Sequence, residues 1–431
     1  MGRRATVLTV VLLGLLAAGP AAAVSAPATH IVCPDCELRT LTAALARVRP
    51  GDRIVLRAGL YRESPVVVDK PVEIVGEGGP VLDGAGEHEI LTIRADDVTV
   101  RGLVLRNSGT SFTRDLAGIR AEHVRNCQIL GNRLERTFFG IYLAETQYCL
   151  VKDNEVRGVA TSEAFSGNAI HLWNVDRTRL LGNRVSGHRD GIYLEFVRGS
   201  LIEGNVSEGN LRYGLHFMYS ERNDFRGNRF RANGAGVAVM YSRWVAMLDN
   251  RFEDNWGGAA YGLLLKDLSD SRIAGNRFTR NTTGLYAEGA NRLVVEGNDF
   301  ARNGWAVRVM ADSLGVVFAH NRFLGNTFEV TTNGSRSYNA FLENYWSDYA
   351  GYDLDRDGIG DVPHRPVRLF ALLVEQYPPA IILLRSPLIE LLDVAERLMP
   401  VLTPRLLADR RPLMRSVEWS SSDTSTNPSA R

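Results

Sequence analysis

An excess of charge of either sign is what this chain most plainly lacks. Lys and Arg number 50 against 49 Asp and Glu, and no basic stripe interleaves with stacked aromatics, so nothing calls for nucleic acid. Long apolar runs are also scarce. Past the first 26 residues none reaches about 18 uninterrupted apolar positions, which leaves no candidate spanning helix. A nucleotide-binding glycine loop, an H-E-x-x-H pair, the D-P-H motif of alginate epimerases and a Ser–His–Asp set identifiable by spacing are all missing. No repeat contains an apolar pattern of helical period, which argues against ankyrin and tetratricopeptide arrays.

Cysteine is rare too, with four residues. Cys33 and Cys36 form C-P-D-C near the start of the exported chain. A local disulfide is expected there in an oxidising compartment, with a metal-binding or exchanging pair as the alternative. The export signal is legible. Arg3 and Arg4 precede the apolar run ATVLTVVLLGLLAA, and Ala21 to Ala23 or Ala26 offer a cleavage site, so residues 1–26 read as a signal peptide. The mature protein is expected in the periplasm.

What is present is repetition. Asn recurs at Asn132, Asn154, Asn183, Asn205, Asn228, Asn250, Asn276, Asn298 and Asn321, and six of the eight intervals are 22 or 23 residues. Such a period means a solenoid. Before most of these marks stands Gly followed by alternating apolar residues, as in Gly191-Ile192-Tyr193-Leu194-Glu195 and Gly214-Leu215-His216-Phe217-Met218. Strand side chains alternate faces, so places two and four line a core while one, three and five face out. The predicted fold is all-β, a right-handed parallel β-helix with Asn laddered at its corners. Cys127 and Cys149 each lie five residues before an Asn mark, so they are expected to stack as free core thiols, with parallel Cβ vectors making a bridge awkward.

Residues 27–365 form the predicted β-helix. Leu41, Leu45 and Val48 give it an N-terminal cap helix ended by Pro50-Gly51. The longer intervals hold inserted loops at 157–167 and 254–262. The closing stretch NYWSDYAGYDLDRDGIGD places Asp353, Asp355, Asp357 and Asp361 as in a Ca²⁺ loop, but the twelfth position, which needs a bidentate Glu, is His364. A solvated Asp-Gly turn is the alternative to a Ca²⁺ site. Residues 366–412 follow as an apolar, Pro-broken helical extension suited to docking, and 413–431 as a disordered tail.

Stacking points to chemistry on the outward face. Place three reads Tyr142, His171, Tyr193, His216 and Ala238; place five reads Trp173, Glu195, Met218, Met240 and Lys266. His216, Met218 and Met240 should cluster, with His171 nearby as reserve. Imidazole plus thioether suits Cu(I). The bland alternative is that a loop or the C-terminal arm covers this face and Met merely packs. Asp190, Glu195 and His216 are the candidate acid–base set if the protein acts on polysaccharide instead. His188 and His320 read as polar turn residues.

At RYGLHFMYS (212–220), AVMYS (238–242) and the closing motif, the chain resembles the NosD family of periplasmic maturation proteins for nitrous oxide reductase. The resemblance covers nearly everything after the signal peptide. Single repeats are shared with sugar-binding and sugar-hydrolase β-helices, whereas the Met/His rungs combined with the closing motif and extension are more specific. It implies a non-catalytic partner of an ABC transporter, with residues 369–412 docked on the transporter's membrane subunits. It also implies contact with a copper chaperone and with apo-nitrous oxide reductase. It does not assign copper ligands, and the choice of His216, Met218 and Met240 rests on rung geometry. The working expectation is an accessory protein that receives or presents Cu(I); a carbohydrate-active enzyme or sugar-binding protein is the second reading.

Overall fold

The computed structural model describes residues 26–416 apart from 64, 112, 259, 335–336 and 400–406. The expected signal peptide, up to residue 25, and the tail beyond 416 lie outside the described residues. Within them the chain winds into a parallel β-helix whose three sheets hold 14, 12 and 13 strands. Hydrogen-bonded neighbours are mostly three strands apart in sequence, as a three-sided coil requires. The 12-stranded front sheet runs from Val66–Val68 to Phe328–Thr331 and carries the Gly-led strands. Helix α1 (Leu41–Arg47) begins at Thr40, whose side chain accepts from the Ala43 amide, and buries Leu41, Ala44 and Leu45.

Each corner solves the same problem, which is to leave no buried peptide group unpaired where the strands turn. At the predicted corner, the backbone N–H and Nδ2 of Asn228 both donate to Asn250 Oδ1, at 3.0 Å each. Asn228 Nδ2 also donates to the carbonyl of Ile202 at 2.8 Å. The pattern runs unbroken from Asn132 to Asn344. A second ladder, Asn210, Asn233, Asn255, Asn281, Asn303 and Asn326, fills the corner ahead of the front sheet. Ser and Thr serve the third corner, where the Thr178 amide donates to Ser200 Oγ and the Ser200 amide to Asn223 Oδ1. The second ladder corrects one expectation. Place one of the repeat does not face out, since a Cβ on Gly214 would lie 2.7 Å from Asn233 Nδ2 and 2.7 Å from the Gly236 carbonyl oxygen.

The cysteines also depart from expectation. Cys33 and Cys36 form the local disulfide, and Cys127 and Cys149 are bridged as well rather than free. Equivalent places on consecutive rungs bring the Cys127 and Cys149 Cα atoms to 4.6 Å, inside the separation a disulfide accepts. Rung spacing outweighs the parallel Cβ vectors.

The extension divides in two. Helix α2 (Leu369–Gln376) lays Phe370, Ala371 and Val374 on Phe328 and Trp305 at the end of the front sheet, and Arg308 pairs with Glu375 at 2.7 Å. Helix α3 (Pro387–Leu398) packs Ile389 into the same cluster, while buried Glu396 accepts from the Leu369 amide at the start of α2. Further on, Asp409 and Leu413 bridge to Phe341 and Tyr345 in the final coil. Asp409 is fully buried and ends the first ladder: Oδ2 accepts from the Asn344 amide, Asn344 Nδ2 and Trp346 Nε1 at 2.9–3.2 Å. Oδ1 accepts from the amides of Glu343 and Arg411. A carboxylate suits this rung because no further rung among the described residues follows to receive an amide's N–H. Residues around 409 thus belong to the solenoid, not only to a docking arm.

Asp409→Ala strands five donors. At about 1–3 kcal/mol per unsatisfied buried group, partly recovered by water, a loss of at least ~3 kcal/mol is expected. Chemical denaturation of the mature protein checks this, and an unchanged midpoint would contradict it.

Candidate metal site

Four adjacent front-sheet strands, Ile170–Trp173, Ile192–Glu195, Tyr213–Met218 and Ala235–Met240, build the candidate site. Their register aligns His171, Tyr193, His216 and Ala238 in one column and Trp173, Glu195, Met218 and Met240 in the next. His216, Met218 and Met240 are therefore brought together. His171 is not, because the Tyr193 ring stands between the two imidazoles with centroids 4.7 Å and 4.9 Å away. Two rungs separate them, about 9–10 Å along the sheet.

Although these places point away from the core, His171 and His216 are buried and the two methionines half-buried. Among the described residues, the C-terminal arm is not what covers them. It seats on Trp305 and Phe328, three and four rungs beyond Met240. His216 is instead enclosed by rings, with Tyr193 at 4.9 Å and Tyr213 at 4.7 Å. Neither of its ring nitrogens has a hydrogen-bond partner among the described residues. The Nδ1 atom lies 3.7 Å from Asp190 Oδ2. Asp190 is itself fully buried and held by Arg212 Nε at 2.9 Å and the Tyr213 amide at 3.2 Å. Burial pushes its carboxyl upward, but the Arg212 guanidinium and His216 outweigh that and bring it down to about 2. In His171, burial and then nearby Arg189 lower the ring to about 3, so it is neutral at pH 7.

Tyr193 links the columns. Its hydroxyl lies 3.4 Å from Met218 Sδ and 3.4 Å from Glu195 Oε2. Burial and Glu195 raise the phenol well above its usual range. Just beyond the methionines, Phe196, Tyr219 and Tyr241 stack along the turn with centroids 5.4 and 5.1 Å apart, exposed beside Arg198 and Arg243.

This donor set fits a soft monovalent cation. A buried imidazole that makes no hydrogen bond among the described residues has room for a partner, and thioethers on adjacent rungs supply neutral sulfur. The same geometry serves acid–base chemistry poorly, since the fully buried Asp190 is committed to the half-buried Arg212 and Glu195 neighbours a phenol. The Asp-rich loop brings carboxylate oxygens of Asp353, Asp355 and Asp357 within 4.8 Å of one another. Asp361 caps the Leu354 amide, and His364 turns away to Glu329 at 2.7 Å.

Sequence reasoning passed over Asp190 with Arg212 as an ion pair and Tyr193 as a link, and it read His188 as a polar turn residue. The missed signal was N-x-x-x-x-N, repeated from Asn205 and Asn210 to Asn321 and Asn326. His188 occupies that second position after Asn183, and its amide donates to Asn210 Oδ1 at 3.1 Å. It is a ladder member, not a surface turn residue.

Comparison with known proteins places the chain in a family. Residues 157–351 match the model described as Periplasmic copper-binding protein (NosD). Over 411 residues the chain is 35% identical to the Pseudomonas aeruginosa protein named Probable ABC transporter binding protein NosD, spanning 89% of this chain and 95% of that one. The chain belongs to the NosD family. A second NosD protein of the same name, from Stutzerimonas stutzeri, is 32% identical over 380 residues, covering 84% of this chain and 86% of the relative. Among solved structures, the catalytic unit of a GH87 alpha-1,3-glucanase from Streptomyces thermodiastaticus superposes with TM-score 0.53 at 14% identity, covering 77% of this chain and 68% of that one. The A-module of mannuronan C-5 epimerase AlgE6 from Azotobacter vinelandii gives 0.50 at 14%, covering 69% and 84%. These distant likenesses show the shared β-helix of NosD and nothing of its chemistry.

Burial drives His188 down to about 4, with the Phe138 and Gly167 backbone pulling the other way. Its folded value lies below the unfolded value, so the unfolded chain takes up a proton first. Stability is expected to fall as pH drops from about 6.5 toward 4, by on the order of 3 kcal/mol from this residue, and to level off below. His188→Asn, which restores the ladder residue, should flatten that dependence in denaturation at pH 7 and pH 4.5; an unchanged slope would contradict the assignment.

Proposed function

We propose that this NosD-family protein receives and presents Cu(I) at His216, Met218 and Met240 in the periplasm, as an accessory to nitrous oxide reductase maturation. One observation carries the reading: the buried His216 imidazole makes no hydrogen bond among the described residues, its Nδ1 standing 3.7 Å from Asp190, and it shares its strand and the next with the adjacent thioethers of Met218 and Met240. The family description as periplasmic and copper-binding supports it. The chain's part is positional. Hydrogen-bonded rungs fix the donors, the Tyr213 and Tyr193 rings exclude water from His216, and neutral sulfur binds Cu(I) without locking it in place. A copper chaperone would deliver the ion across the adjoining aromatic turn, and the apo-reductase would take it.

Docking to the membrane subunits of an ABC transporter is the second part of the proposal, and the relatives' name as ABC transporter binding proteins supports it. Helix α3 supports it physically. Ile389 faces the solenoid, while Leu388, Leu391, Val394 and Leu398 share an opposite face, with Leu391 67% and Leu398 77% exposed. Ile382, in the segment before α3, is 86% exposed as well. Such an apolar face on a soluble chain marks a contact surface. A carbohydrate-binding role is the second reading, favoured by the exposed aromatic stack at Phe196, Tyr219 and Tyr241.

Two measurements separate the parts. In an anaerobic Cu(I) competition titration of the full mature chain, one tight equivalent is expected, weakened at least ~100-fold in Met218→Leu/Met240→Leu, as loss of two ligand bonds demands. Binding that survives in the variant would sink this site and favour Cys33 and Cys36 once reduced. Leu391→Glu/Leu398→Glu should abolish co-purification with the transporter's membrane subunits while leaving thermal unfolding unchanged. Retained co-purification would remove α3 from the interface.

A further inference from the structure

We propose that Tyr193 determines which metal this face accepts, by holding Glu195 out of the ligand set. The inference rests on the Cu(I) reading above and deepens it. Glu195 is the register neighbour of Met218 and supplies the only carboxylate in the column between Trp173 and Lys266. Added to an imidazole and a thioether, a carboxylate would turn a soft, neutral donor set into one suited to Cu(II) or Zn(II).

The phenol prevents this. Its ring is wedged between His171 and His216, so only the hydroxyl hydrogen is free to choose a direction. Two acceptors lie 3.4 Å away, Glu195 Oε2 and Met218 Sδ. A carboxylate is a much stronger acceptor than a thioether, so the proton points to Glu195. The sulfur lone pairs stay available to the ion, and the carboxylate is tethered through Oε2 to the phenol rather than turned to the metal. The arrangement is intrinsic to the repeat, because Tyr286 and Glu288 form the same contact at 3.4 Å four rungs farther along. Lys266, beyond Met240, is turned to Glu288 at 3.7 Å, so the nearest carboxylate on that side is engaged as well.

The test is Cu(II) binding to the full mature chain, read by electron paramagnetic resonance, beside Cu(I) competition. Tyr193→Phe keeps the ring and removes the hydroxyl. It is expected to gain a stoichiometric Cu(II) signal, at least tenfold tighter than wild type, that disappears in Tyr193→Phe/Glu195→Gln. Glu195→Gln alone is expected to bind Cu(I) within threefold of wild type. No gain of Cu(II) in Tyr193→Phe overturns the proposal, as does a gain that persists in the double variant. A tenfold weaker Cu(I) affinity in Glu195→Gln overturns it too, since Glu195 would then be a ligand. Failure of the Met218→Leu/Met240→Leu variant to lose Cu(I) would strike the underlying reading instead, which keeps the two failures apart.

Discussion

The coils from Asn132 to Asn344 depend on one pair of hydrogen bonds made again at each rung: an asparagine Oδ1 accepting from the backbone amide and from the Nδ2 of the previous asparagine. At each turn of a β-helix the backbone leaves sheet pairing, and a buried, unpaired peptide group costs as much as a lost hydrogen bond. The Asn132 to Asn344 ladder meets that demand by supplying two donors and an acceptor from one side chain. It also forbids slippage. A coil displaced by one residue would lose its ladder contact and turn its inward side chains outward. Asp409 ends the chain of bonds with an acceptor that needs no further rung.

Fixed register is also what makes a site possible on so plain a surface. Consecutive coils set residues distant in sequence side by side, such as Tyr193 and His216, or Met218 and Met240, with no loop that must be ordered first. Functional groups on such a face are preorganised by the same bonds that hold the fold. The Asp190–Arg212 pair adds a second constraint by fixing the corner next to His216. Its charge is balanced locally, so the imidazole beside it stays enclosed without an exposed counter-ion.

Most of the fold was legible in the sequence because a solenoid writes its geometry as a period. The Gly-led alternation gave the strands, the asparagine spacing gave the corner, and Leu41, Leu45 and Val48 marked the cap. Features that depend on two coils at once were harder to see. Cys127 and Cys149 looked like parallel thiols from one strand's viewpoint, yet rung spacing lets them bridge. Place one looked outward by strict alternation, but the corner turns it onto the second ladder. Of the site, the sequence located the columns holding His216, Met218 and Met240. It could not show that His171 is cut off by Tyr193, or that the outward face is closed over by its own rings. Asp409, 65 residues after Asn344, carries no periodic signal because the chain reaches it through the helices.

Membership of the NosD family is shown by its relatives, the copper site is proposed, and the two meet at three side chains. X-ray absorption at the copper edge of the Cu(I)-loaded mature protein tests that join most directly. The account predicts one imidazole nitrogen and two sulfurs around the ion, with one sulfur lost in Met218→Leu and the imidazole lost in His216→Ala. A shell of nitrogen and oxygen alone, or two sulfurs that survive both substitutions, would contradict it.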